Sequence, residues 1–242
     1  MKKRTRYILA ACAAVLLAAV IGGWVYVADC YHADGEAVAA MAVQSDGVQT
    51  EVHGAVTWFV PEQPTAGLIF YPGGKVEAAA YAPLLRACAR QGILCALVQM
   101  PGNLAVLDIN AADGLRQTYP EVTRWYMAGH SLGGAMAASY AAGHAGDFDG
   151  LVLLAAYATE DLTGTALRVL SVWGTEDGVL DREAYAENRG NLPPDTTEVV
   201  LEGGCHAQFG SYGTQEGDGT PTISPQEQLR QTVAAITTFM EP

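Results

Sequence analysis

The run Gly129-His130-Ser131-Leu132-Gly133 constrains the fold of this chain more than any other short segment. Residues 124–128 before it read as a buried strand, and residues 132–144 after it read as an Ala-rich helix. A turn this short between strand and helix crowds the two backbones together, so side chains two positions before and after the serine would collide with their neighbours. Gly134 and Ala135 keep the start of the helix narrow as well. A strand passing directly into a helix is the building unit of a mainly parallel sheet.

The rest of the chain repeats that unit. Residues 52–60 alternate apolar and polar side chains and predict a strand, and residues 67–71 are a short apolar run ending at Pro72-Gly73-Gly74. Helical spacing covers 78–91, a buried run covers 93–98, and a weaker helical pattern covers 104–117. Beyond the central turn, strands are expected at 151–156, 167–173 and 198–201, and helices at 182–188 and 224–240. Ser224-Pro225 makes a cap and first helical position for the last of these. The expected fold class is α/β, a mainly parallel sheet with helices on both faces. Only about ten residues separate the strands at 151–156 and 167–173, too few for a cap domain.

The N-terminus carries an address. No charged side chain occurs from Ile8 to Ala28, while Lys2, Lys3, Arg4 and Arg6 precede that stretch and Asp29 follows it. Such a length matches a hydrocarbon core of roughly 30 Å. The charge asymmetry predicts a cytoplasmic N-terminus with the remainder outside, and Trp24 and Tyr26 fall near the outer end. The apolar run is longer than a secretory signal's, and Tyr26 spoils the cleavage site, so an uncleaved single-pass anchor in the cell membrane is expected. A cleaved signal would leave the domain secreted. The expected organisation is an anchor over 1–28, a linker over 29–50 and a catalytic domain over 51–242. The partner implied is the lipid bilayer.

The chain holds 26 Asp and Glu against 13 Lys and Arg, a net charge of -13, and a surface like that repels phosphate backbones. Nucleic acid is therefore excluded as an expected partner. Cys30, Cys88, Cys95 and Cys205 follow the apolar segment with no zinc-ligand spacing, and they are expected as buried thiols. The chemistry read here calls for no cofactor and no metal.

That chemistry centres on Ser131. A serine at such a turn has its hydroxyl thrust out above the sheet, but it needs a histidine to take its proton and a carboxylate to orient the histidine. Only His144 and His206 follow it. His144 ends the helix that begins beside Ser131, where a C-terminal cap explains it, which leaves His206 as the base. Asp177 is the preferred acid, in Gly174-Thr175-Glu176-Asp177-Gly178, with Glu176 as the alternative and Asp161 and Asp181 as outsiders. The oxyanion is expected to meet the backbone N–H of Leu132 and that of Gly74, with Lys75 as the alternative.

With these residues in view, the chain resembles the alpha/beta-hydrolase superfamily over roughly residues 52–240, and more narrowly the small bacterial alpha/beta hydrolase fold-5 group. The matching stretches are Phe-Tyr-Pro-Gly-Gly-Lys-Val (70–76), Gly-His-Ser-Leu-Gly-Gly-Ala-Met-Ala (129–137), Gly-Thr-Glu-Asp-Gly (174–178) and His-Ala-Gln-Phe-Gly-Ser-Tyr-Gly (206–213), continued by Gln-Glu-Gly-Asp-Gly (215–219). The resemblance implies Ser131, Asp177 and His206 as the triad. It departs at Cys205, where the family pattern commonly has asparagine. Hydrolysis of a small-molecule ester or thioester is the first functional expectation. Acyl transfer by the same residues is the second, and a non-catalytic cell-surface binding module the third. The loop 101–107 and the segment 208–222 are the expected substrate walls, with Phe209 and Tyr212 as candidate contacts.

Overall fold

A computed structural model describes residues 3–43 and 46–241. Lys2, residues 44–45 of the expected linker and Pro242 lie outside the described residues, as do the side chains of Lys3, Arg4, Arg6 and Trp24. The chain divides into two compact units, Met1–Cys30 and Tyr31–Pro242. The first is one helix, α1 (Lys3–Ala28), whose 26 residues extend ~39 Å at 1.5 Å per residue. Its segment Ala11–Ala28 is long and apolar enough to cross a membrane, a property shared by anchors and signal sequences.

The second unit holds α2 (Gly35–Ala42), β1 (Val48–His53), β2 (Val56–Pro61), β3 (Ala66–Tyr71), α3 (Ala82–Ala89), β4 (Ile93–Val98), β5 (Trp125–His130), α4 (Leu132–Gly143), β6 (Gly150–Leu154), β7 (Arg168–Gly174), α5 (Arg182–Asn188), β8 (Thr196–Leu201) and α6 (Pro225–Met240). The eight strands form one sheet in the order β1-β2-β4-β3-β5-β6-β7-β8. β2 is antiparallel to both of its neighbours and every other pair is parallel. This is the α/β fold that the alternation of runs implies. β3 shows why the sheet is buried on both sides: Leu68 and Phe70 enter one core, Ile69 and Tyr71 the other.

Three segments differ from the sequence reading. Residues 52–60 are not one strand but parts of a hairpin, in which Gly54 takes φ 62° between His53 and Val56. Glycine reaches that left-handed conformation without strain, and the turn reverses the chain. Residues 35–42, inside the expected linker, form α2, capped where Asp34 accepts a hydrogen bond from the Ala37 N–H. Residues 104–117 are a series of turns around two short 3-10 segments, Ala105–Leu107 and Leu115–Thr118. Asp108, Asn110, Asp113 and Gly114 favour turns over a continuous helix, and Gly114 stands at φ 78°. Between β6 and β7, residues 155–167 carry no helix, so the sheet has no cap there.

The strand order places the functional end. The chain moves outward from β3 to β4, then returns to the other side of β3 with β5. The loops after β3 and β5 therefore separate at the carboxyl edge, the point where open α/β sheets bind ligands.

Candidate active site

Ser131 sits between β5 and α4 at φ 52° and ψ -125°, a backbone conformation that a side chain rarely adopts. The bond from its N–H to the Leu154 carbonyl, 2.9 Å, ties the turn to β6. The glycines on either side are required by contact. A Cβ on Gly129 would meet the Gly133 carbonyl at 2.5 Å, and one on Gly133 would collide with the carbonyl oxygens of Tyr71 and Pro72. Gly134 in turn faces the Ala156 Cβ.

His206 and Asp177 come from the loops after β8 and β7. Their side chains are buried, and His206 Nδ1 lies 2.9 Å from Asp177 Oδ2. The other carboxylate oxygen accepts the N–H groups of Val179 and Leu180 at 2.9 and 2.8 Å. Both Asp177 carboxylate oxygens thus accept hydrogen bonds, and the bond to Nδ1 holds a proton on that nitrogen. The second ring nitrogen, Nε2, is buried without a hydrogen-bond partner. Ser131 and His206 line one cavity of about 270 Å³.

The remaining candidates separate from this pair. The Glu176 carboxylate meets its neighbour Thr175, Asp161 is exposed and bonded to Thr163, and Asp181 caps α5 while lining the rim of the cavity. His144 is the C-cap of α4: its Nδ1–H donates to the Tyr140 carbonyl and its ring stacks on Tyr140 at 4.1 Å. In the turn after β3, the Gly73 N–H donates to Tyr81 Oη at 3.0 Å and the Lys75 N–H to the Asn103 carbonyl at 2.8 Å. Lys75 therefore has its amide committed elsewhere, whereas Gly74 between them packs against the Leu132 side chain. Leu132 opens α4, so its own N–H has no intrahelical acceptor.

The cavity walls correct another expectation. They come from Leu132, Ala135 and Met136 of α4, and from residues 155–157, 159 and 179–181, not from 101–107 or 208–222. Phe209 and Tyr212 are buried packing groups. Phe209 lies 5.5 Å from the His130 ring and Tyr212 lies 5.5 Å from Tyr31.

His130, the residue before the serine, was not singled out by the sequence pattern. Its buried ring lies 4.4 Å from that of His206, and its Nδ1 is 2.8 Å from Tyr81 Oη. Tyr81 accepts the Gly73 N–H, so its single proton is best placed on the bond to His130 Nδ1. Burial, reinforced by the neighbouring His206, holds the His130 pKa well below the usual imidazole value and keeps the ring neutral. A chain of contacts thus runs from the turn after β3, through Tyr81, to the elbow and to His206.

Cys205 does not disturb the last loop. Gln228, buried in α6, accepts from the Cys205 N–H at 2.9 Å and donates to its carbonyl at 2.7 Å. Both bonds use backbone, and the Cys205 side chain is buried in the core. Cys88, Cys95 and Cys205 are buried thiols outside any disulfide, whereas Cys30, expected to be buried too, is only half-buried.

The profile of the alpha/beta hydrolase family matches residues 67–230, more than half of the chain. No curated protein matches. Solved structures similar to this chain include a predicted CIB-like hydrolase from Thermoplasma acidophilum, at 17% identity and a TM-score of 0.57 over 79% of this chain and 98% of that one. TT1662 from Thermus thermophilus is similar at 16% identity and a TM-score of 0.59, over 81% and 99% of the two chains. Est1E from Butyrivibrio proteoclasticus aligns at 16% identity and a TM-score of 0.57, over 80% and 97%. At these identities the likeness concerns the fold.

Proposed function

This chain belongs to the alpha/beta hydrolase family, and we propose that it is a membrane-anchored, extracytoplasmic serine hydrolase acting on a carboxylic ester or thioester. One observation supports the reading most. The His206 imidazole is held through Nδ1 by Asp177, and its buried Nε2 stands without a partner on the cavity that Ser131 lines. An unpaired buried ring nitrogen is costly unless the site uses it.

In this reading Nε2 takes the Ser131 proton as the oxygen attacks the substrate carbonyl. The oxyanion is met by the Leu132 N–H, at the start of α4, and by the Gly74 N–H. Collapse of the intermediate breaks the ester or thioester bond. The proton passes from His206 to the leaving alcohol or thiol, leaving an acyl group on Ser131. Water, deprotonated by the same Nε2, then attacks the acyl-enzyme and releases the acid. Asp177 stabilises the imidazolium in both halves. The apolar cavity of about 270 Å³ suits an acyl group of modest size.

Anchoring rests on α1 and its flanks: a basic cluster before the apolar stretch and Asp29 after it orient the helix with the domain outside. The test of the chemistry is labelling by a fluorophosphonate, which phosphonylates an activated serine. The wild-type protein should label at Ser131 and Ser131→Ala should not. Equal labelling of the two, or none of either, would remove the serine-hydrolase reading.

A further inference from the structure

The loops that carry Asp177 and His206 leave different strands, and a third segment, around Asp218, lies against both. The Asp218 carboxylate gathers their backbones. Its Oδ1 accepts the N–H of Gly178 at 3.1 Å, of His206 at 3.2 Å and of Gly219 at 2.9 Å. Its Oδ2 accepts the N–H of Ala207 at 2.8 Å, and the Cys205 thiol faces the same carboxylate. One side chain therefore bonds to the residue after the acid, to the base itself and to the residue after the base.

The packing around it leaves no slack. A Cβ on Gly178 would meet the Gly217 carbonyl at 2.5 Å and the Gly219 N at 2.9 Å. A Cβ on Gly219 would collide with the Glu176 carbonyl, and one on Gly174 with Gly204. Burial pushes the Asp218 pKa up, but the amides of Ala207, Gly178 and His206 outweigh it and hold the carboxyl below its usual range. The group is thus a carboxylate acceptor at neutral pH, as four loop amides require. Burial, with a smaller contribution from the same carboxylate, pushes the Cys205 thiol up to about 12, so it stays protonated.

We propose that Asp218 is a positioning residue, a clamp that fixes the His206 ring against Asp177 by holding the two loops through their backbones. Asp218 touches no reacting atom. Its effect is on how often Nδ1 and Oδ2 stand at bonding distance, and so on which tautomer His206 presents to Ser131. The proposal rests on the serine-hydrolase reading for its catalytic consequence, but not for its structural one.

Asp218→Asn separates the two roles. Its amide group replaces one oxygen by an N–H donor, which then faces a loop N–H instead of accepting it. In the full chain in detergent, fluorophosphonate labelling of Asp218→Asn should slow by about tenfold to a hundredfold, the penalty for a misplaced catalytic group. Reversible binding of the probe should stay near wild type. Nitrogen-15 spectra of labelled histidine, with the His206 signal assigned by its loss in His206→Gln, should change from one Nδ1–H tautomer to an averaged pattern. Should Asp218→Asn fail to fold, Gly178→Ala forces the same loops apart while keeping the carboxylate, and the same two readouts apply. Wild-type labelling rates and an unchanged His206 spectrum, with only the melting temperature lowered, would overturn the clamp. If wild type itself does not label, the hydrolase reading falls, while the His206 spectrum still decides the role of Asp218.

Discussion

At Ser131 the positive φ is bearable because Gly129 and Gly133 let β5, α4 and the turn after β3 come together without side chains between them. Gly133 carries the most consequence, because it sits against the carbonyls of Tyr71 and Pro72, immediately before the turn that holds Gly74. In Gly133→Ala the new methyl has to push that turn away, moving the Gly74 amide from the oxyanion position proposed for it. Stability should fall by about 1–3 kcal/mol, as for other overpacked sites. Fluorophosphonate labelling should fall further than stability accounts for, on the order of 100-fold. Gly143→Ala is the matched control, since a Cβ there has nothing within 4 Å and the residue is exposed at the end of α4. It should gain about 0.5–1 kcal/mol of helix stability and leave labelling unchanged. Thermal melts of both variants beside their labelling rates check the pair. A Gly133→Ala protein that labels like wild type would show that the turn after β3 does not need its present position.

Among the elements, α3 and the entry to the sheet are joined by a buried charge. Arg86 of α3 is 2% exposed, with Nη2 at 2.5 Å and Nε at 2.9 Å from the two Asp46 oxygens. The same guanidinium donates to Thr50 Oγ1 and the Val48 carbonyl, so it fastens β1 to the domain. The Arg86 hydrogen bonds hold the Asp46 carboxyl below its usual pKa, against a smaller opposing effect of burial. A depressed carboxyl contributes stability above its unfolded pKa and loses it as pH falls through the folded one. Asp46→Asn, which removes that titration but keeps an oxygen acceptor, should therefore lose its disadvantage relative to wild type as pH drops below the ordinary carboxylate range. Asp46→Ala, which leaves the buried guanidinium without its counter-charge, should cost about 3–5 kcal/mol at neutral pH. Urea titrations at several pH values give both results, and a stability gap between wild type and Asp46→Asn that does not narrow in acid would exclude the linkage. Arg86 and Asp46 also mark where sequence stops being informative. β4, β6 and β7 were legible because a strand buried on both faces is a continuous apolar run. That Ser131 and His206 would line one cavity was legible because an elbow and a leftover histidine are local facts. The β1–β2 hairpin merged into one strand on paper, since its alternation continues through Gly54. The Asp218 bonds to Gly178 and Tyr81 to His130 join residues 40 and 49 positions apart, and no local pattern carries such a pairing.

For the whole molecule, the two units ask different things of their surroundings. The unit Tyr31–Pro242 contains both apolar cores and every residue assigned to the site. Residues 31–242 alone should therefore fold, melt close to the full chain and label at Ser131 at the same rate. Association with membranes should differ completely. The chain as a whole carries a net charge of -13, and four of its 13 Lys and Arg precede Ile8 while all 26 Asp and Glu follow it, so the body repels an anionic bilayer surface. Peripheral binding through charge is thus unfavourable, and in the proposed anchored form attachment comes from the apolar length of α1. Expressed in a bacterial host, the full chain should stay in the membrane fraction through a high-salt wash, and residues 31–242 should remain soluble. Intact mass separates anchor from signal, because a retained helix gives the full-length mass and cleavage a shorter, released protein. If residues 31–242 sediment with membranes in low salt and leave in high salt, the acidic body carries a basic docking face of its own, and α1 is not the sole attachment.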